Sequence, residues 1–146
     1  MYFLKEGLKM SKDLKDLTRT TADLYFKGLD GERPYELLRS FDAGLALDLS
    51  LFVTGQLYAR ERIPHPTRQL VTVAALTVLE RPEELRMHIH AALNVGCTPQ
   101  QITEVIFQMV PYGGVPVVNT GLKVLREILK QRGLWPISRD NPAGTK

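Results

Sequence analysis

With a single cysteine, Cys97, this chain of 146 residues can form neither an intrachain disulfide nor a Cys-x-x-Cys pair. A disulfide framework, a dithiol redox centre and a cysteine-built zinc site are therefore excluded within it, and a reducing, cytoplasmic compartment fits the scarcity. No apolar run approaches the roughly 20 residues of a membrane helix, so no membrane partner is expected. The early apolar patch from Tyr2 to Leu4 is interrupted by Lys5 and Glu6 before an h-region forms, and no secretion signal is predicted. Long blocks of like charge are missing too: 19 Lys and Arg stand against 16 Asp and Glu, dispersed along the chain. A net charge of +3 without a basic run or interleaved aromatics predicts no nucleic-acid partner, whereas a small acidic substrate would need only two or three of these cations near one another in space.

What is present is helical periodicity. Residues 11–27 place Leu14, Leu17, Thr21, Leu24 and Tyr25 on one face, with Ser11 as N-cap and Gly28 as the stop, leaving 1–10 as an arm. Pro34 suits the first position of a second helical stretch, which Asp42 to Gly44 break into two helices and which closes at or soon after Gly55. After "ERIPHP", residues 67–80 carry apolar side chains all round the axis; a chain this short rarely surrounds a helix completely, so a subunit interface is inferred. Pro82 opens the next helix and Gly96 closes it, and Thr98-Pro99-Gln100-Gln101 supplies a cap, a proline at the first helical position and a capping box. A tight antiparallel hairpin of these two helices is expected, with Ile102, Val105, Ile106, Met109 and Val110 on the core face of the second and Phe107 opposite. "PYGGVP" interrupts the chain, a last helix spans 117–132, and 136–146 form a tail. Nothing alternates with period two, so the fold class is all-α, one domain over 11–135.

The chemistry gathers in "EELRMHIHAALNVGCTPQ". Glu84 and His88 are one turn apart on the same rim of the buried stripe, about 5–6 Å apart at Cβ, so the carboxylate can reach a ring nitrogen and set its tautomer. His90 diverges toward the other rim and is not part of the pair. The same spacing also describes a half-buried histidine with a local partner. Two diverging histidines do not make a zinc site, and no metal is expected. Arg68, in the first turn of the most apolar helix, opposes the dipole and calls for an anionic partner, either a structural carboxylate or a substrate. Tyr112, beside Gly113 and Gly114, is either open to a cleft or packed on the core. Cys97 reads most simply as a small turn residue.

"TRQLVTVAAL", "EELRMHIHAALNVGCTPQQITEVI" and "YGGVPVVNTGL", in that order, resemble the carboxymuconolactone decarboxylase family, with its Arg-x-Leu, Glu-Leu-x-x-His and Tyr-x-Gly-x-Pro segments, over residues 50–130. The resemblance implies an AhpD-like subunit of six to seven helices in a ring-like homo-oligomer, commonly a hexamer. It implies one of two chemistries: cofactor-free decarboxylation of 4-carboxymuconolactone or a related small carboxylated lactone in aromatic catabolism, or thiol-dependent peroxide reduction at a Cys-x-x-Cys three residues before a histidine. Matching His88 to that histidine puts the two cysteine positions at Arg81 and Glu84, neither of them a thiol, so the decarboxylase branch is expected. A helical oligomer without catalysis is the third alternative. On the decarboxylase reading His88, oriented by Glu84, donates a proton, Arg68 and Arg60 hold carboxylates, and Tyr112, with Gly114 beside it, binds the lactone; no cofactor is needed.

Overall fold

The structure, a computed structural model, describes residues 2–138, with side chains from residue 13 onward. Every regular element among them is helical, as the periodicity predicts. The chain divides into two compact units, Met1–Ile63 and Pro64–Lys146.

The first unit opens with α1, Tyr2–Phe26, which ends before Gly28 in the left-handed region at φ 75°. Ser11 does not cap it: no proline interrupts residues 2–10, and a helix once nucleated propagates through such a stretch. Pro34 does not open the next helix either, because Tyr35 takes a left-handed conformation, φ 70°, and delays it to α2, Glu36–Phe41. Asp42 then breaks the chain and caps α3, Ala43–Ser50, its carboxylate accepting from the Leu45 amide at 2.9 Å. From Leu51 to Tyr58 the winding loosens to a π-helix, ended by the Ala59 amide donating to the Thr54 carbonyl at 3.0 Å. Gly55 lies inside this helix rather than closing it, and packs against Thr18 and Leu14 of α1. Tyr25, fully buried, has Phe26 and Tyr58 each 5.9 Å away between ring centroids.

The second unit consists of α4 (His65–Val78), α5 (Pro82–Asn94), α6 (Pro99–Phe107), a single turn α7 (Val110–Gly113) and α8 (Val115–Gln131). Pro82 opens α5 and Gly96, φ 96°, follows its end, as predicted. The capping box at α6 is complete: Thr98 Oγ1 accepts from the Gln101 amide at 3.1 Å, and Gln101 Oε1 accepts from the Thr98 amide at 2.9 Å. The tight α5–α6 hairpin does not form; both helices pack chiefly on α4 and α8 and meet each other sparingly. The apolar faces explain this, since Leu85 and Ile89 of α5 and Ile102 and Ile106 of α6 all enter one core with Val73 of α4 and Leu125, Ile128 and Leu129 of α8. Each such side chain contributes roughly 1.5–3 kcal/mol by leaving water. Gly121 lets α8 approach α4 and α6, because a Cβ there would sit 3.2 Å from Ile106 and Thr77. Gly114, φ 84°, makes the break between α7 and α8 that "PYGGVP" foretells.

Candidate functional site

α5 buries Leu85, Ile89 and Ala92 and sets His88 on the rim of that stripe, its ring mostly enclosed, with Glu84 exposed one turn earlier. The neighbouring helix α4 turns Gln69, Val73 and Thr77 inward on successive turns, each at most 2% exposed. Gln69 and His88 meet there, His88 Nδ1 lying 3.0 Å from Gln69 Oε1. With an amide oxygen facing it, Nδ1 is the donor, and the lone pair falls on Nε2. Burial lowers the pKa of His88 from 6.5 to about 4, against the smaller upward pull of the Glu84 charge. The ring is therefore neutral near pH 7.

The wheel of α5 assigned the orientation of His88 to Glu84. At Nδ1 that task belongs to Gln69, because the rim of α5 faces α4 rather than solvent, while Glu84 acts through its charge. Sequence reasoning passed over Gln69. The available signal was a carboxamide on the helix with the most apolar circumference, four residues before Val73 and eight before Thr77. Its Nε2 is buried and makes no hydrogen bond among the described residues, so the amide keeps a donor in reserve at an enclosed position.

Arg68 directly precedes Gln69 in the chain and has its Nε shielded from solvent. Tyr112 and Gly114 lie at α7; Tyr112 is 70% exposed and makes no side-chain hydrogen bond among the described residues. Arg60, exposed just beyond the π-helix, belongs to the first unit. His90 is engaged elsewhere: Arg132 Nη2 lies 2.8 Å from its Nδ1 and donates to Asn94 Oδ1 at 2.9 Å, tying the ends of α5 and α8 together. Cys97 is 4% exposed, its thiol donates to the Pro66 carbonyl at 3.5 Å, and burial pushes its pKa up to about 11. Such a thiol is almost wholly protonated at neutral pH and is a poor nucleophile. Among the described residues, no three His, Cys, Asp or Glu side chains cluster as a metal site would require.

An all-helical domain with a buried, neutral histidine held from the adjacent helix, and no thiol pair beside it, is the class these observations define. Residues 48–127 match the carboxymuconolactone decarboxylase family, and the chain belongs to that family. It is 36% identical over 104 residues, 71% of this chain and 78% of the relative, to a 4-carboxymuconolactone decarboxylase of Acinetobacter baylyi (strain ATCC 33305 / BD413 / ADP1). It is also 38% identical over 77 residues to an uncharacterized 15.0 kDa protein in the nqo9-nqo10 intergenic region of Paracoccus denitrificans, covering 51% of this chain and 57% of that protein.

Proposed function

We propose that this protein is a carboxy-lyase that decarboxylates 4-carboxymuconolactone or a closely related small carboxylated lactone, without a cofactor, at a site built around His88. The observation that carries the reading is the enclosed His88–Gln69 pair inside the segment matched to the decarboxylase family. In the reaction the bond between a ring carbon and its carboxylate breaks, CO2 leaves, and the electron pair enters the conjugated lactone as far as its carbonyl oxygen. One proton must then be added to carbon. The conjugated carbonyl is the electron sink, which is the part a cofactor plays in other decarboxylations.

A histidine with a pKa of about 4 is a weak reservoir of protons in the empty site. A dianionic substrate brought against it changes the balance, since neighbouring negative charge favours imidazolium. His88 then takes up a proton on binding and delivers it to carbon as the carboxylate departs, while the enclosed setting leaves that carboxylate poorly solvated. Arg68 and the Gln69 amide N–H are suited to the remaining carboxylate and the developing oxyanion, with Tyr112 and the backbone at Gly114 completing the lactone's surroundings.

The test is to incubate the protein with 4-carboxymuconolactone and follow CO2 release together with loss of ultraviolet absorbance. His88→Ala should lower kcat by about 10²-fold or more, the range a positioned general acid contributes. Turnover within threefold of the parent would remove His88 from the mechanism. Peroxide consumption with an external dithiol is expected to be absent, given the buried, protonated Cys97. We place the assembly in the same reading, as a homo-oligomer that covers the apolar residues exposed on α4 and just past its end, Val71 and Leu79.

A further inference from the structure

The first unit contains a cavity of about 470 Å³, within the range that holds small organic molecules. Two irregularities of the backbone converge on it. Tyr35 holds a left-handed conformation at φ 70° that bulky residues rarely adopt, and Leu51–Tyr58 is wound as a π-helix, a form that recurs at functional sites. The Tyr35 side chain and the Thr54 hydroxyl, one from each segment, both line the cavity. Strain of this kind persists only where the surroundings impose it, and here both strained segments line the same space.

Along α1 the lining residues Lys15, Thr18, Ala22 and Phe26 follow the three- and four-residue spacing of one helical face. Ala22 leaves room where a larger side chain would fill the cavity, and the buried Phe26 supplies an apolar wall. The charges around the cavity are unequal in availability. Arg19 is paired with Asp16 at 3.0 Å and Arg33 with Asp23 at 3.3 Å, while Glu36 accepts from the Arg33 amide at 2.9 Å. Lys15 and Arg39 also line the cavity, and neither is joined to a carboxylate among the described residues. The lining thus has its acidic groups committed and two cations in hand, above an apolar wall and beside a phenol and two threonine hydroxyls.

We infer that this cavity is a binding site for a small organic carboxylate with an apolar body, its anion held by Lys15 and Arg39 and its ring or chain laid against Phe26 and Leu51. Tyr35 and Thr54 form the facing wall. The inference needs no turnover and does not depend on His88.

The experiment titrates the isotopically labelled full chain with 3-phenylpropanoate, following backbone amides by NMR, with 3-phenylpropanamide and inorganic phosphate in parallel. Saturable shifts are expected at Ala22, Tyr35 and Thr54, at least tenfold weaker binding of the neutral amide, and no such pattern with phosphate alone. Arg39→Glu should weaken binding of the acid at least tenfold and Lys15→Ala severalfold, each with an unchanged circular dichroism spectrum. Ala22→Leu should abolish binding by filling the cavity with the charges intact, and His88→Ala should bind as the parent does. Equal affinity for acid and amide, undiminished binding in Arg39→Glu or Ala22→Leu, or shifts confined to residues 64–138 would each overturn the assignment. If Arg39→Glu does not fold, Lys15→Ala and Ala22→Leu decide the matter.

Discussion

Gln69 and His88 form a neutral pair in a place where a charged one is a single atom away. Replacing Gln69 by Glu sets a carboxylate against Nδ1, and opposite charge favours imidazolium, so the pKa of His88 should rise from about 4 toward or above its ordinary 6.5. Imidazole 15N shifts measured against pH report both this pKa and the tautomer. In the parent they should show hydrogen on Nδ1 across neutral pH, and hydrogen on Nε2 would mean that the Gln69 amide nitrogen is the donor instead. Gln69→Leu is expected to leave Nδ1–H buried without its acceptor, at a cost of about 1–3 kcal/mol in stability. The same pair fixes a pH dependence. Because the folded chain binds a proton at His88 only near pH 4 and the unfolded chain already near 6.5, the unfolded state holds more protons in between, and stability falls as pH drops through that window. The loss amounts to as much as about 3 kcal/mol, at roughly 1.4 kcal/mol for each tenfold change in proton affinity. Urea titrations at pH 7 and pH 4 should show that much less acid sensitivity in His88→Gln; an identical acid limb in parent and variant would contradict a depressed pKa.

Among the elements, the π-helix Leu51–Tyr58 offers the sharpest test of packing. A Cβ at Gly55 would run into Thr18 Oγ1 and lie 2.9 Å from Leu14 Cδ1, and the Thr18 hydroxyl is held in place by donating to the Leu14 carbonyl at 2.7 Å. Gly55→Ala should therefore destabilise the protein by about 1–3 kcal/mol, and Thr18→Ala in the same chain should recover part of it, a coupling that a double-mutant cycle in thermal unfolding would measure. The elements also show what a sequence can disclose. Pro82, Gly96 and the Thr98–Gln101 box mark their helix ends because each acts through its own backbone neighbourhood. The π-winding after Ser50 and the left-handed Tyr35 leave no such mark, since the apolar run 51–58 reads like any buried helix and Tyr35 is a bulky residue where a left-handed backbone favours glycine. The site divides in the same way. Helical spacing placed Glu84 and His88 on one rim, but the partner at Nδ1 comes from another helix, 19 residues earlier in the chain, and a wheel drawn for α5 alone cannot contain it.

At the scale of the whole molecule, α4 carries a conflict that one copy of the chain does not resolve. Its inner stripe of Gln69, Val73 and Thr77 is buried within the second unit, yet Val71 on the helix is 61% exposed and Leu79, just past its end, 58%, with an alanine, Ala75, midway between them. Four-residue spacing makes these three one continuous apolar strip, where a helix that met only water would carry polar groups. Self-association through the strip, part of the function proposed above, would remove that surface from solvent and account for an apolar circumference that one chain leaves half unused. Val71→Asp places a charge at one end of the strip, where burial in a subunit contact would strand it without a partner. Sedimentation velocity should then show a smaller species than the parent at equal concentration, with far-ultraviolet circular dichroism unchanged because Val71 makes no part of the core within its own unit. Should parent and variant sediment alike as one species, the strip is no interface. If the parent is the larger, assaying both proteins for lactone decarboxylation shows whether assembly is needed for turnover, since a site complete within one chain would keep its kcat when the contact is lost.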